Sequence, residues 1–250
     1  MMRAWISLVA AAALALLALP AQAADGDLTP QQTQQFEKLI RDYLMRNPEV
    51  LVEAMQAFQA KKAAAEAEAQ RMAVRAEAKD LFSDPDSFVG GNPQGDVTLV
   101  EFFDYRCGYC KQAKPDVDAA LRKDGNVRVI YKEFPILGPD SVTASRVAIA
   151  TMLTQPAKYR PLHEALMASK GALPEATVLQ IASEAGVDVA KVRASLKDPR
   201  IDRIITANRG LAERLGIEGT PAFIIGEDLI AGAAPADRYT AAFAAARKKK

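Results

Sequence analysis

Both cysteines of the chain lie in one short run, Cys107-Gly108-Tyr109-Cys110, and this run limits the possible folds more than any other stretch. An apolar, strand-like run at 97–103 precedes it, and a helix-like repeat of apolar residues follows it. Two cysteines with this spacing at a strand-to-helix turn suit dithiol chemistry, because free N–H groups and the helix dipole stabilise a thiolate at the first position. The second sulfur lies within the same helical turn and can close a disulfide. We therefore expect Cys107 to be the attacking thiol and Cys110 the resolving thiol.

Metal binding and a purely structural disulfide are the alternative interpretations of the cysteine pair. A structural zinc site needs four ligands, whereas the chain has two cysteines and one histidine, His163. A disulfide that closes so short a loop restrains little of the unfolded chain. Cu(I) binding by Cys107 and Cys110 stays open, because a soft thiolate pair suits this ion. We expect His163 to be a hydrogen-bonded or half-exposed residue rather than a catalytic one, and the sequence implies no nucleotide or organic cofactor.

Residues 1–23 have the pattern of a secretory signal peptide, with Arg3 at the start, a following apolar run and the cleavage pattern Ala21-Gln22-Ala23. The apolar run is short for a membrane span, which needs about 20 residues, and an uncleaved anchor is the alternative interpretation. We expect a soluble mature protein that begins near Ala24 and lies outside the cytoplasm, a context that suits thiol–disulfide chemistry. A formal net charge of +1 gives no indication of nucleic-acid binding.

Residues 24–82 are predicted to form a helical arm. Thr29-Pro30 supplies a helix start, and Asn47-Pro48 separates this helix from a second one. The second helix would have about 30 residues and a length of about 45 Å, which exceeds what a compact domain of this size needs. A helix of this length depends on packing its apolar face. We expect that face to mediate self-association, with packing across the catalytic domain as the alternative.

Residues 83–250 are predicted to form an α/β domain. Strands at 97–103 and 127–134 flank a helix, kinked at Pro115, in a strand–helix–strand unit with parallel strands. Helical segments at about 139–216 form an insertion before the last strands and a terminal helix.

A second informative stretch contains Thr220 and Pro221, which directly precede an apolar, strand-like run. Proline suits the first residue of a strand, and an X–Pro bond is where a cis peptide is cheap. A turn here would leave backbone groups of Thr220 free to pair with an extended substrate peptide. An ordinary trans strand start is the alternative.

The Phe-x-Asp-x-x-Cys-Gly-Tyr-Cys-Lys run, the Gly-Thr-Pro-Ala-Phe run and the helical insertion together resemble thioredoxin-fold proteins of the DsbA type. These are disulfide oxidoreductases of the bacterial periplasm. The helical arm, with its Asn-Pro-Glu-Val-Leu stretch, resembles the suppressor-of-copper-sensitivity C (ScsC) and Com1-like branch. The resemblance implies a thioredoxin fold with an inserted helical subdomain after an oligomerisation arm. It also implies a trimer through 24–82, exported proteins with cysteines as substrates, and a membrane redox partner that resets the dithiol.

The resemblance also implies roles for residues near the cysteines. Cys107 would be the exposed nucleophile and Cys110 its buried partner, and Thr220-Pro221 would be a cis-proline loop that binds substrate backbone. The intervening Gly108-Tyr109 contains no histidine. We therefore expect a Cys107 pKa below that of a free thiol, but less depressed than beside a Pro-His dipeptide.

An acid and a base are implied beneath the cysteines. Glu101, six residues before Cys107, matches a buried acid that assists proton transfer to the resolving thiol. Lys132, on the next predicted strand, is the expected ion-pair partner of Glu101. Because Lys132 and Glu133 have opposite strand parity, we expect only one of them to face inward.

These features predict thiol–disulfide exchange through a mixed disulfide at Cys107. If the arm makes a dimer or trimer, a disulfide isomerase is favoured, because several active sites can hold one misfolded client. If the arm folds back, a monomeric dithiol oxidase or reductant is favoured. A protein that chiefly binds Cu(I) for copper tolerance is the alternative from another functional class.

Overall fold

The computed structural model describes residues 28–248. The predicted signal peptide, 1–23, and its cleavage site lie outside the described residues. The chain divides into two compact units, Met1–Ala60 and Lys61–Lys250. Among the described residues, no helix combines the length and the apolar character that a membrane crossing requires.

The described part of the first unit is helical, as predicted. Helix α1 spans Pro30–Arg46. Thr29 caps it by accepting a hydrogen bond from the Gln32 backbone, and the Gln32 side chain accepts one from the Thr29 backbone in return. The helix ends at Asn47, whose N–H donates to the Tyr43 carbonyl. Helix α2, Glu49–Ala76, begins in this unit and ends in the second.

The second unit contains a five-stranded sheet with the order β1-β3-β2-β4-β5. Strands β2 and β3 pair in parallel, and the three other pairs are antiparallel. The elements that follow α2 are α3 (Ala78–Phe82), β1 (Phe88–Gly91), β2 (Val97–Phe103), α4 (Gly108–Asp124), β3 (Val127–Glu133), α5 (Pro139–Thr154), α6 (Pro156–Ala168), α7 (Glu175–Glu184), α8 (Val189–Ser195), α9 (Pro199–Arg214), β4 (Ala222–Ile225), β5 (Asp228–Ala231) and α10 (Ala236–Lys248). Helices α5–α9 are the predicted insertion.

Both faces of the sheet are covered, because alternate residues of β2 belong to two separate apolar clusters. Leu99 and Phe103 pack with residues of α4, α5, α6 and α10. Val100 and Phe102 pack in the other cluster with residues of α2, α3 and α9. The expectation that only one of Lys132 and Glu133 faces inward was therefore wrong, since they are 1% and 3% exposed on opposite faces.

The end of α2 is part of the second unit rather than of a separate arm. Val74 is buried in the same cluster as Val100. Arg75 donates to both carboxylate oxygens of Glu227 at 2.6 and 2.9 Å. Leu81 of α3 is also buried in that cluster. The boundary between the units therefore lies between Ala60 and Lys61, earlier than the boundary predicted at 82.

Helix α4 starts at the cysteine motif. Cys107 is its N-cap residue, with extended backbone angles, and the helix ends at Gly125, whose φ of 72° is left-handed. Pro115 lies inside the helix, as predicted. The sequence thus places Cys107 at the N-terminus of a helix of 17 residues, where the helix dipole favours negative charge.

Candidate active site

The two cysteines are free thiols that contact each other through the first turn of α4. The backbone N–H of Cys110 donates to Cys107 Sγ at 3.3 Å. On its other side, Cys107 Sγ donates to the carbonyl oxygen of Thr220 at 3.2 Å. The sulfur of Cys107 therefore lies between a helix N-terminus and the loop before β4.

The two thiols have unequal acidities. A hydrogen bond from the Cys110 thiol is the main cause that lowers the pKa of Cys107 to about 6, and the backbone N–H groups of Cys110 and Tyr109 contribute. Burial acts in the opposite direction on the Cys107 pKa. The same hydrogen bond, together with burial, raises the pKa of Cys110 strongly. At neutral pH Cys107 is mainly a thiolate and Cys110 a thiol, the distribution that an attacking and a resolving cysteine need.

The sulfur-bearing side chain of Cys107 is less exposed than the resemblance implied. Cys107 is only 5% exposed and Cys110 is fully buried. The expectation of a buried Cys110 is confirmed, whereas the expectation of an exposed Cys107 was wrong. The Thr220 carbonyl and the Cys110 N–H both contact the Cys107 sulfur. Tyr109, between the cysteines, is by contrast 68% exposed. Gly108 has open space around its α-carbon.

The peptide bond between Thr220 and Pro221 is cis, as the family resemblance implied, rather than the trans strand start that the residues alone left open. Strand β4 begins at the next residue, Ala222. The Pro221 carbonyl accepts a hydrogen bond from the Gly232 N–H at 2.8 Å, which ties the loop to the end of β5. The carbonyl of Thr220 instead points at Cys107 Sγ.

Asp104 organises the turn between β2 and the cysteines. One carboxylate oxygen accepts from the Arg106 N–H at 2.7 Å, and the other accepts from Ile136 and Leu137 at 2.9 and 3.0 Å. Its backbone carbonyl accepts from the Cys107 N–H at 3.0 Å. Asp104 thus joins the cysteine turn to the loop after β3. No role was predicted for Asp104 from the sequence. Its position directly after the predicted strand, three residues before Cys107, could have indicated one.

Glu101 is buried on the sheet face that α4 covers. Burial is the main cause that raises its pKa to about 7, and the nearby ammonium of Lys114 acts in the opposite direction. The predicted pairing of Glu101 with Lys132 was wrong. The strand register places Lys132 opposite Phe102, so its side chain lies on the other face of the sheet. There Lys132 forms an ion pair with Asp84.

A second buried carboxylate lies close to the cysteine turn. Glu133 accepts hydrogen bonds from the hydroxyls of Tyr105 and Tyr159, each at 2.8 Å, and from Ser145 at 2.7 Å. The Tyr105 hydroxyl also lies 3.3 Å from Nδ1 of His163. Burial lowers the pKa of His163 to about 3, so this ring is neutral at physiological pH. His163 is a hydrogen-bonded core residue, as expected.

Comparison with protein families matches both parts of the chain. Residues 98–244, more than half of the chain, match the model of the DSBA-like thioredoxin domain. Residues 32–65 match the model of the copper resistance protein ScsC N-terminal domain.

Solved structures resemble the chain over most of their length. A thioredoxin-like oxidoreductase from Silicibacter pomeroyi DSS-3 is 41% identical, with a TM-score of 0.65, over 68% of this chain and 97% of that chain. A linker-deletion mutant of Proteus mirabilis ScsC is 28% identical, with a TM-score of 0.67, over 90% of this chain and 100% of that chain.

Curated relatives match over a smaller share of their length. The Na(+)/H(+) antiporter NhaA 3 of Salinispora tropica is 28% identical over 57% of this chain and 22% of the relative. The thiol:disulfide interchange protein DsbA of Burkholderia cepacia is 25% identical over 53% of this chain and 64% of the relative. The chain therefore spans less than two thirds of the length of these curated relatives.

Proposed function

Since the chain belongs to the family of DSBA-like thioredoxin domains, we propose that it is a thiol–disulfide oxidoreductase acting on exported proteins. Cys107 is the nucleophile and Cys110 the resolving thiol in this proposal. The observation that carries it is the position of Cys107 Sγ at the N-terminus of α4, between the Cys110 N–H and the loop of a cis proline. The lowered pKa of Cys107 and the raised pKa of Cys110 support the same roles.

Exchange proceeds through a mixed disulfide. The Cys107 thiolate attacks one sulfur of a substrate disulfide, a bond forms between the two sulfurs, and the other substrate sulfur leaves as a thiolate. In isomerisation, a substrate thiolate then attacks the mixed disulfide and releases Cys107. Alternatively, Cys110 attacks Cys107, which closes the Cys107–Cys110 disulfide and releases the substrate reduced.

Loss of the Cys107 proton changes the neighbouring loop. As a thiol, Cys107 donates to the Thr220 carbonyl; as a thiolate it has no proton to donate. The carbonyl of partly exposed Thr220 can then accept from another donor. A backbone N–H of an extended substrate peptide can supply it, so we infer that Thr220 and Pro221 bind substrate backbone beside the reacting sulfur.

Glu101 is the proposed proton acceptor for Cys110. A carboxyl with a pKa of about 7 exchanges its proton near neutral pH, which suits general acid–base catalysis. Lys132 has no part in this step, because it lies on the other face of the sheet.

The helical arm supports an oligomeric isomerase over a monomeric oxidase. Helix α1 has no buried residue. Its exposed apolar side chains recur at helical spacing and continue into α2, and they include Phe36, Leu39, Ile40, Tyr43, Leu51, Met55 and Phe58. An apolar surface of this kind marks an interaction site. We propose that it assembles a homotrimer through 24–82, although residues 61–82 also belong to the second unit.

The proposed setting is the periplasm, with a membrane redox partner that resets the dithiol.

A second candidate function is Cu(I) binding by Cys107 and Cys110, which the match to a copper resistance protein's N-terminal domain favours. The described residues contain no cluster of three or more metal-ligating side chains, so such a site would rest on the two sulfurs alone.

The experiment that separates these functions uses the full mature chain and two matched variants of α1. Leu39→Asp places a charge on the apolar face, and Gln34→Asp places the same charge on the other side of the helix. We expect Leu39→Asp to lose both oligomerisation and reactivation of a scrambled disulfide protein, while its oxidation of a reduced protein is retained. Gln34→Asp should retain all three. Full reactivation by monomeric Leu39→Asp would contradict the isomerase assignment, and tight Cu(I) binding without any exchange activity would favour the copper function.

A further inference from the structure

The loop that carries the cis proline, residues 216–221, has a local sequence that gives its first half little rigidity of its own. Gly216 begins the loop with a φ of 63°, and Gly219 has open space where a side chain would be. Glycine at these positions leaves the backbone many conformations. The Thr220 carbonyl nevertheless lies 3.2 Å from Cys107 Sγ. Its position therefore depends on how the two ends of the loop are held.

The start of the loop is held by the end of α2 and by α3. Leu215 is the C-cap residue of α9, so its carbonyl has no acceptor role within the helix. Gln70 of α2 supplies a donor, because its side-chain amide donates to this carbonyl at 3.1 Å. One residue earlier, Arg214 donates to both carboxylate oxygens of Glu77 at 2.9 Å each and to Asp80 at 3.2 Å. The last turn of α9 is thus fixed to the surface of α2 and α3.

The far end of the loop is held by the same stretch of chain. Strand β4 follows the loop, and Glu227 lies in the turn that joins β4 to β5. Arg75 of α2 donates to both oxygens of the Glu227 carboxylate, and such bidentate pairs fix the relative orientation of the two groups. Arg71, one helical turn earlier, lies 3.7 Å from Asp228. Residues 70–80 therefore contact the chain on both sides of the loop.

Apolar packing lies between these two attachments. Val74 of α2 is only 1% exposed. It belongs to the same apolar cluster as three residues within or beside the loop, which are Leu215, Ile217 and Ala222. On the other side of the loop, Glu218 and Gly219 are exposed. The loop thus has one side packed in a cluster that includes α2 and one side open to solvent.

We propose that residues 70–80 position this loop for an extended substrate peptide, with Gln70 and Arg75 as positioning residues. The inference rests on the proposed exchange function, in which the loop binds substrate backbone. A bound peptide must align its backbone with the loop and its disulfide with Cys107 at the same time, and a misplacement of about 1 Å can slow such a reaction by about 100-fold. A small disulfide without a peptide backbone needs only the sulfur. Residues 70–80 therefore determine how strongly the active site prefers a peptide disulfide to a small one.

The test compares two disulfides as oxidants of the reduced full-length protein. One is a short peptide whose single cysteine is joined to 2-mercaptoethanol, and the other is 2-hydroxyethyl disulfide. In each reaction the Cys107–Cys110 disulfide forms and the added disulfide is reduced to its two thiols, which acid quenching and mass spectrometry follow in time. The variants are Gln70→Ala, Arg75→Ala and the double variant, which removes an attachment at each end of the loop. Lys61→Ala is the control, since it removes an exposed side chain about 2.5 turns before Gln70 on the same helix.

We expect the peptide disulfide to oxidise the double variant several-fold more slowly than the unmodified protein, with the single variants between them and the control unchanged. The rates with 2-hydroxyethyl disulfide should stay the same in all variants, which also shows that they are folded. An unchanged peptide rate in the double variant would overturn the inference. An equal loss with both disulfides would also overturn it, because that pattern indicates a general loss of structure. Absence of reaction between the unmodified protein and either disulfide would instead contradict the proposed function.

Discussion

Replacement of Cys110 by alanine should raise the pKa of Cys107 by a predictable amount. The hydrogen bond from the Cys110 thiol is the main cause of the low Cys107 pKa, which is about 6. A hydrogen bond to a charged group contributes about 1.5–3 kcal/mol, and a pKa unit corresponds to about 1.4 kcal/mol. Cys110→Ala keeps the backbone N–H groups and removes only the thiol donor. We therefore expect the Cys107 midpoint to rise by about one to two units.

The assay is the rate of alkylation of the reduced protein by a neutral alkylating reagent as a function of pH. Only Cys107 reacts appreciably below about pH 8, because the Cys110 pKa is strongly raised. Tyr109→Ala is the matched control, since its exposed side chain is not among the causes of the shift and its backbone N–H is retained. An unchanged midpoint in Cys110→Ala, or an equal shift in Tyr109→Ala, would show that the Cys110 thiol does not lower the Cys107 pKa.

Three further changes have defined outcomes. Burial raises the pKa of Glu133 to about 7, so its neutral form stabilises the fold below about pH 4.3, and this contribution is lost as pH rises to about 7. Glu133→Gln should reduce the loss of unfolding free energy over that range, and the remaining slope should come from Glu101, whose pKa is also about 7. An unaltered pH profile would contradict this. Asp84→Ala leaves the buried ammonium of Lys132 without its carboxylate partner. This variant should lower the free energy of unfolding, measured by urea titration, by about 3 kcal/mol. Asp86→Ala, which removes an exposed carboxylate, is the control and should change that free energy by less than about 0.5 kcal/mol. Asp104→Asn turns an amide group toward backbone N–H donors and should lower the melting temperature by an amount that corresponds to about 2 kcal/mol; full stability would argue against its role in the turn.

Local chemistry made the reacting residues predictable. The spacing of Cys107 and Cys110 and the strand-to-helix junction are properties of a short stretch, and the structure has Cys107 at the N-cap of α4. A proline directly before a strand left both the cis and the trans bond open at Thr220–Pro221, and it was the resemblance of the surrounding motif that implied the cis bond.

Residues that depend on tertiary packing were less predictable. Strand parity separates Lys132 from Glu133, but it does not show that helices cover both faces of the sheet and bury both residues. The cation near Glu101 is Lys114, which belongs to α4 rather than to the neighbouring strand. Helix periodicity predicts which residues share a face of α4, but it does not show which strand that face packs against. The end of α2 resembles a solvated arm in composition, yet Val74 is buried in the second unit.

In the proposed exchange, Cys107 forms a mixed disulfide with substrate and Cys110 resolves it. The most direct measurement is mass spectrometry of full-length Cys110→Ala and Cys107→Ala after each has been mixed with a disulfide-scrambled protein. We expect a stable covalent complex through Cys107 in Cys110→Ala and none in Cys107→Ala. A complex through Cys110 in Cys107→Ala, or no complex in either variant, would show that Cys107 and Cys110 do not have these roles.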